Sequence, residues 1–213
     1  MVMRCVRVYI EGGAEGGVGD NDFRRGWKVF LRELHDIARN SGYHSLEIVR
    51  GKGRATTFRR FKKHRISYPN DLCVLLVDSE TAVPEGTSVW HIVANRKGDN
   101  WTRPPWATER HLYLMVHFVE TWLLTDPDAL LQYFKQGFVQ KCLPKRNIED
   151  RSKKEIEDSL KRATKLSRKG PYRHGQAHEI IGLVAPDRVK ALRHGGRLFE
   201  QMGDLIRGDP EAS

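Results

Sequence analysis

Three short segments in the first 122 residues place carboxylates beside apolar runs. They are residues 8–15 (VYIEGGAE), 75–80 (LLVDSE) and 117–122 (HFVETW). The first two follow runs that predict strands, so Glu11, Asp78 and Glu80 should lie at strand ends. If these strands are neighbours in a parallel sheet, the acids meet at the edge where open α/β sheets bind ligands. Because gathered carboxylates repel one another, the pattern predicts a divalent cation, Mg²⁺ or Mn²⁺, at this edge.

Glu11 and the pair formed by Asp78 and Glu80 suit different parts of metal-assisted phosphoryl transfer. Two glycines follow Glu11 and would let a phosphate or a backbone approach closely. Residues two apart at a strand end point the same way, so Asp78 and Glu80 could both reach one cation. The alternatives are a tight turn in which Glu11 faces water and a solvated turn at Asp78.

Glu120 is the fourth acid of interest, because a lone carboxylate in an apolar segment is costly to bury. It either faces the same metal pocket as an extra ligand or forms a salt bridge with an arginine at the edge of the core. The sequence leaves both options open. Further along, residues 172–175 (YRHG) and His178 either contact phosphate near the site or form an ordinary helix entry.

The chain is strongly basic, with a formal charge of +10 and a pI near 9.7, which favours a polyanionic partner such as nucleic acid. The run 59–65 (RRFKKHR) would form a basic helix face that tracks a phosphate backbone, or simply a solvated face. The loop 96–103 (RKGDNWTR) suits stacking on an unpaired base, unless Trp101 and Trp106 pin it to the core. The candidate nucleic-acid-binding residues are Arg59, Lys62, Lys63, Arg65 and Arg103.

Composition and length bound the class of protein. The 213 residues fit one domain, or one domain with a helical appendage. No segment has the ~18 consecutive apolar residues of a membrane span, and the N-terminus lacks the pattern of a secretory signal. Three scattered cysteines indicate reduced thiols, so we expect a cytoplasmic protein without membrane contact. No Walker phosphate loop, Ser/His/Asp order, Cys-based metal spacing or dinucleotide fingerprint is present.

Local patterns divide the chain into a strand-rich front and a helical rear. Alternating or apolar runs predict strands over 4–10, 46–49 and 72–77, and the run 88–93 (SVWHIV) is a further strand candidate. Helical spacing predicts helices over about 20–40, 56–65 and 126–136, with a glycine-rich loop over 12–19 before the first. We therefore expect an α/β catalytic domain over 1–125, with a helical part over 126–213 packed on it as one structural unit.

A resemblance to a known family is carried by VYIEGG, LLVDSE and MVHFVETWLLTDPDALLQYF, and by APDRVKAL further on. With these segments the chain resembles the family catalogued as domain of unknown function 4276, over almost its whole length. That family is similar to the Toprim domains of topoisomerases, primases and overcoming-lysogenization-defect nucleases. The resemblance implies a Toprim-like three-layer α/β domain with a mainly parallel sheet and a helical C-terminal part.

In Toprim domains a strand-end Glu and a later Asp-x-Asp bind Mg²⁺ and serve phosphodiester chemistry. The resemblance implies that Glu11 is the general base or acid and a metal ligand, and that Asp78 and Glu80 are the metal pair. Glu80 stands where the Toprim pattern prefers Asp, so one-metal and two-metal use both stay open. Relatives often occur beside an ATPase in anti-phage defence or mobile-element loci, which implies an ATPase subunit as partner.

Together these observations predict a metal-dependent nuclease that hydrolyses phosphodiester bonds of DNA or RNA. Its catalytic residues would be Glu11, Asp78 and Glu80, and the same three with Glu120 would hold the metal. The alternative is a non-catalytic nucleic-acid-binding or regulatory subunit of an ATPase complex. A toxin that cuts cellular RNA is a third candidate, and the chain could form a homo-oligomer.

Overall fold

The computed structural model describes residues 3–12 and 19–209, so most of the predicted glycine-rich loop, with Glu15, lies outside the described residues. Within the described ranges four strands form one sheet in which every pairing is parallel. The strand order is β2-β1-β3-β4. The strands are β1 (Val6–Ile10), β2 (Leu46–Arg50), β3 (Leu72–Asp78) and β4 (Leu112–Met115). The strands predicted over 4–10, 46–49 and 72–77 are confirmed.

The sheet is covered on both faces, which explains why β3 is apolar throughout. Its side chains alternate between two hydrophobic clusters, with Val74 and Leu76 in the larger and Leu75 and Val77 in the smaller. The chain after β1 forms two helices, α1 (Asp20–Phe30) and α2 (Arg32–Asn40), which cover the face of the sheet that carries the larger cluster. They occupy the single helix predicted over 20–40, which is interrupted only at Leu31.

The other face carries α3 (Arg54–Ser67) and α4 (Val89–Asn95). Phe58 and Phe61 of α3 are buried as expected for the predicted helix over 56–65. The strand suggested over 88–93 is wrong, because this segment is α4. Ser88 caps α4 by accepting a hydrogen bond from the His91 backbone N–H at 3.3 Å, and Val89 and Val93 bury one face. Burial of that face outweighs the β-propensity of its branched residues.

The C-terminal part is helical, as predicted. Its last helix, α10 (Arg193–Arg207), packs against α2 and β4, and the ring centroids of Phe199 and Phe30 are 5.5 Å apart. The larger cluster therefore contains residues from both parts, and the boundary at 125/126 stays a prediction. None of the described helices has the length and apolar character needed to cross a membrane. The helices are α5 (Val119–Leu123), α6 (Pro127–Phe134), α7 (Lys153–Thr164), α8 (Ala177–Ile180), α9 (Pro186–Lys190) and α10 (Arg193–Arg207).

Helices on both faces of a parallel sheet, with a helical C-terminal part, confirm the predicted three-layer α/β class and are consistent with a Toprim-like fold. The order of the strands matters for function. The chain leaves β1 toward the face of α1 and leaves β3 toward the face of α4, although β1 and β3 are adjacent. Their carboxyl ends therefore flank a topological switch point, the position where open α/β sheets bind ligands.

Candidate metal centre

Three acids meet at the switch point between β1 and β3. Glu11, Asp78 and Glu80 each offer a carboxylate oxygen, and these oxygens lie within 4.8 Å of one another. Glu11 follows β1, and its backbone N–H donates to the carbonyl of Leu76 at 2.9 Å. Asp78 is the last residue of β3, and its backbone N–H donates to Oε2 of Glu11 at 3.3 Å. The structure thus brings together the three acids that the strand-end argument selected.

Glu80 reaches this cluster by a route that the sequence argument did not foresee. β3 ends at Asp78, and Glu80 adopts a left-handed backbone conformation with φ of 67°. Its backbone N–H donates to the carbonyl of His117 at 2.8 Å, and the buried Ser79 hydroxyl donates to the Thr81 carbonyl at 2.5 Å. A turn, not strand alternation, directs Glu80 toward the other acids. Left-handed Glu is uncommon and costs backbone energy, which fits a functional position.

Cations pair with the carboxylates of Glu11 and Glu80 and with the backbone of Asp78, and two of them, Arg54 and Lys153, were not selected from the sequence. Arg54 Nη1 lies 2.7 Å from Glu11 Oε2 and 2.5 Å from the carbonyl oxygen of Asp78. Lys153 Nζ lies 2.6 Å from Glu80 Oε2, and Arg96 approaches the same carboxylate at 4.0 Å. The signal for Arg54 was its position just after β2, whose carboxyl end shares the edge. No local signal marks Lys153, which lies 73 residues after Glu80.

Burial and mutual repulsion make Asp78 and Glu11 hold their protons more tightly. Burial raises the pKa of Asp78 well above its usual range, and the charges of Glu11, Glu120 and Glu80 raise it further. Burial also raises the pKa of Glu11, against the opposing effect of Arg54. Asp78 Oδ1 is buried and has no hydrogen-bond partner in the described part of the chain. A buried carboxylate oxygen without a partner, beside two more carboxylates, fits the hard-oxygen ligand set of a divalent cation.

Glu120 lies outside the group of three, although its charge acts on Asp78. It is in the first turn of α5 and only 1% exposed. Its Oε1 accepts hydrogen bonds from the Tyr172 hydroxyl at 2.6 Å and from His174 Nδ1. The arginine salt bridge, one of the two options that the sequence left open, is not formed, because a tyrosine and a histidine bind this carboxylate instead. The hydrogen bond to Glu120 raises the pKa of His174, and burial raises that of Tyr172.

None of the five predicted nucleic-acid-binding residues contacts the acids. α3 begins at Arg54 beside the acids, whereas His64 Nε2 lies 3.1 Å from Asp71, which precedes β3. At about 1.5 Å per residue, the end of the basic run is therefore some 16 Å from Arg54. Arg59, Lys62 and Lys63 are exposed on α3. The guanidinium of Arg65 lies over the ring of Trp106, and Arg103 Nη1 lies 3.7 Å from the Glu109 carboxylate.

The aromatic and histidine candidates of the later chain are mostly structural. Trp101 is 5% exposed and stacks on Phe58 with centroids 4.3 Å apart, so the loop is pinned to the core and its ring is not free to stack on a base. His178 is buried, and its Nδ1 accepts a hydrogen bond from Trp27 Nε1 at 3.2 Å. Burial lowers the pKa of His178 to about 3, which keeps the ring neutral.

Comparison with known proteins shows a match to a protein family. A family model described as domain of unknown function (DUF4276) matches residues 23–202, which is most of the chain. The match includes Asp78, Glu80 and Glu120 and begins after Glu11. No curated protein and no solved structure matches the chain.

Proposed function

We propose that the chain, which belongs to the DUF4276 family, is a metal-dependent nuclease that hydrolyses phosphodiester bonds of DNA or RNA. One observation carries the proposal: Glu11, Asp78 and Glu80 offer oxygens within 4.8 Å of one another at the switch point of a parallel sheet. Such a group can hold a hard cation, and the basic chain favours a polyanionic substrate. A kinship with Toprim nucleases, implied by the sequence resemblance, supports the same reaction.

Asp78 and Glu80 are the residues that would hold the cation, with Glu11 beside them. The lone buried oxygen of Asp78 is the atom most in need of a positive partner. When bound, Mg²⁺ or Mn²⁺ supplies Lewis-acid polarisation of the phosphate and neutralises charge on the leaving oxygen. Glu120 would act from outside this set, because its negative charge makes the site more attractive to a cation.

We assign the proton transfer of the reaction to Glu11. Hydrolysis forms a bond from water oxygen to phosphorus, breaks the bond to the leaving oxygen, and moves one proton from the water to that oxygen. A carboxyl group with a raised pKa is suited to accept and return this proton. Arg54 holds Glu11 in place through its 2.7 Å ion pair and is itself fixed by Asp99, whose Oδ2 lies 2.7 Å from Nε.

The test compares the wild-type chain with Asp78→Asn on plasmid DNA and on RNA, with Mg²⁺, Mn²⁺ or EDTA. We expect metal-dependent cleavage that falls by about 100-fold or more in the variant, the usual loss when a group that stabilises the transition state is removed. Asp36→Asn, an exposed acid of α2, is the matched control and should cleave normally. Equal cleavage by Asp78→Asn would mean a contaminating nuclease and would contradict the proposal.

One observation favours the alternative, a non-catalytic nucleic-acid-binding or regulatory subunit of an ATPase complex. Arg54 and Lys153 already pair with Glu11 and Glu80, so these two acids are neutralised without a metal. Structural ion-pair networks also perturb pKa values. Tight nucleic-acid binding without cleavage, with every metal and with the ATPase present, would support this alternative.

The remaining expectations are also proposals. The sequence resemblance supports an ATPase subunit as partner and a role as effector of anti-phage defence. The free thiols of Cys5, Cys73 and Cys142 support a reducing compartment, so we propose the cytoplasm. Co-purification with the product of a neighbouring ATPase gene tests the partner, and light scattering tests whether the chain forms a homo-oligomer.

A further inference from the structure

A basic groove runs along the edge of the sheet beside β2, which we call the β2-edge groove. Among the described strands, β2 lies at one end of the sheet and has no neighbouring strand on its outer side. The groove has a volume of about 620 Å³, with α1 and the start of α2 on one side and Arg60 of α3 on the other. Glu47 is its one acidic lining residue. The permanently charged lining residues are Arg7, Arg24, Lys28, Arg32 and Arg60.

The helical side of the groove carries a row of positive charges that no acid of the described residues pairs with. Arg24 and Lys28 lie about one turn apart on α1, about 6 Å along its axis, and Arg32 begins α2 and lines the same groove. All three are exposed, and no carboxylate of the described residues forms a salt bridge with them. Like charges at this spacing repel one another. An anion with repeated charges would relieve that repulsion.

The strand side of the groove holds its cations in fixed positions. Arg7 is ion-paired with Glu47 and with Asp71, the latter at 2.8 Å. Arg60 Nη1 donates to the backbone carbonyl of Arg50 at 2.6 Å. These two acids balance Arg7, so the excess positive charge of the groove comes from Arg60 and from the row of three cations on the helical side. Charge complementarity therefore selects a linear polyanion.

The groove leads toward the acids. Arg50 ends β2 and is in register with Ile10 of β1, and Glu11 follows Ile10 directly. Neighbouring strands are about 4.8 Å apart, so a chain that follows β2 to its carboxyl end arrives one strand away from Glu11. The predicted α3 residues Arg59, Lys62 and Lys63 do not line this groove.

We propose that the β2-edge groove binds the phosphodiester backbone of nucleic acid and guides it to Glu11, Asp78 and Glu80. The proposal rests on the proposed nuclease function and deepens it by naming the surface that holds the substrate. Phosphate contacts by Arg and Lys give affinity without sequence preference and depend strongly on salt.

The test measures binding of a fluorescein-labelled, mixed-sequence oligonucleotide, as DNA and as RNA, by anisotropy over a range of salt concentrations. All chains carry Asp78→Asn and are kept in EDTA, so that cleavage does not interfere. Three triple variants remove the same charge from different surfaces. The groove variant is Arg24→Gln, Lys28→Gln and Arg32→Gln; the α3 variant is Arg59→Gln, Lys62→Gln and Lys63→Gln; the control is Arg162→Gln, Lys165→Gln and Arg168→Gln.

We expect the groove variant to bind at least about tenfold more weakly. Its slope of log affinity against log salt should fall by about 2 to 3, because each lost phosphate contact contributes about 0.7 to 0.9. The control should keep most of its affinity and slope. Thermal melting shows that each variant is folded. The inference is overturned if the α3 variant carries the loss, if all three variants lose affinity equally, or if the parent chain does not bind the oligonucleotide. Equally tight binding of polyglutamate would also overturn it, since the groove would then recognise acidic protein.

A second assay separates this inference from the proposed function. The unmodified chain is tested for metal-dependent hydrolysis of bis(4-nitrophenyl) phosphate, a diester too small to need the groove. If the unmodified chain hydrolyses this diester and the groove variant binds the oligonucleotide normally, the groove inference is wrong and the nuclease function stands. Loss of binding in the groove variant, with no hydrolysis of this diester or of nucleic acid by the unmodified chain, would sink the nuclease function and leave the groove as a binding surface.

Discussion

Asp78 carries the largest electrostatic cost in the site, because its buried carboxylate faces three other acids. We expect Asp78→Asn to raise the free energy of unfolding in EDTA by about 1–3 kcal/mol at pH 7, the typical cost of a buried group without a partner. The same change should abolish stabilisation by added Mg²⁺ or Mn²⁺, which amounts to about 2.7 kcal/mol at 100 times Kd. Urea unfolding measures both effects, with Asp36→Asn as control. A variant that stays metal-stabilised would contradict the assignment of Asp78 as a ligand.

The pH dependence of this difference follows from the sign of the shift. The folded protein holds the Asp78 proton more tightly than the unfolded chain, whose carboxyl pKa is near the ordinary 3.8. Stability from this group is therefore fully present below pH 3.8 and is lost as the pH rises through the raised, folded-state pKa. We expect wild type and Asp78→Asn to be equally stable near pH 3.5 and to diverge as the pH rises to 7. Unfolding curves at several pH values check this, and a gap that is constant with pH would refute it.

Tyr172 is the residue on which the buried Glu120 depends. Tyr172→Phe removes the 2.6 Å hydrogen bond to Oε1 of Glu120 and leaves that oxygen bonded to His174. We expect a loss of about 1–3 kcal/mol in the free energy of unfolding, the cost of an unsatisfied buried group. Tyr68→Phe, at a residue that is 55% exposed, should change stability by less than about 0.5 kcal/mol. Equal effects of both changes would show that Glu120 does not need the hydroxyl.

The acids of the site could be predicted from sequence, whereas their partners could not. Glu11 and Asp78 each follow an apolar strand, and strand ends of a parallel sheet share an edge, so local pattern and topology are enough. Lys153 and His174 reach the acids from the helical rear, where only tertiary packing sets their positions. Glu80 was selected for the wrong reason, since a left-handed turn brings it to the site.

At the scale of elements, the contact of α1 with the segment 177–183 depends on two glycines. A Cβ on Gly26 would lie 2.3 Å from the carbonyl oxygen of His178, and one on Gly182 would lie 2.8 Å from the Cα of Gly26. We expect Gly26→Ala to lower the free energy of unfolding by about 1–3 kcal/mol through overpacking. Gly203→Ala in α10 should instead raise it by about 0.5–1 kcal/mol, because its nearest neighbour is the flexible end of Arg207. Chemical denaturation compares the two, and a Gly26→Ala chain as stable as Gly203→Ala would contradict this account.

α4 shows why element type is hard to predict where a segment is short. Its sequence, VWHIVAN, is rich in β-branched residues, and both helix and strand would bury apolar side chains. The cap from Ser88 and the need for a crossover between β3 and β4 decide in favour of helix. By contrast, β3 has seven residues of nearly unbroken apolar sequence, and β1 alternates, so each was recognisable without tertiary information.

At the scale of the whole molecule, the larger hydrophobic cluster joins the two parts of the chain. Trp27 and Phe30 of the front share it with Leu160, Ile180 and Phe199 of the rear. We expect residues 1–125 expressed alone to lack a cooperative thermal transition, because the apolar surfaces of α1, α2 and β4 that α8 and α10 cover would be exposed to water. Circular dichroism and the dispersion of proton NMR signals test this against the full chain. A sharp transition in the fragment would establish 1–125 as an independent domain.

The guanidinium of Arg54 lies 4.8 Å above the ring of Trp101, which in turn stacks on Phe58 in the smaller cluster. The cation that fixes Glu11 thus rests on an aromatic platform built by the layer of α3 and α4. Loss of the Trp101 ring would therefore remove one of the contacts that hold the guanidinium and would loosen its ion pair with Glu11.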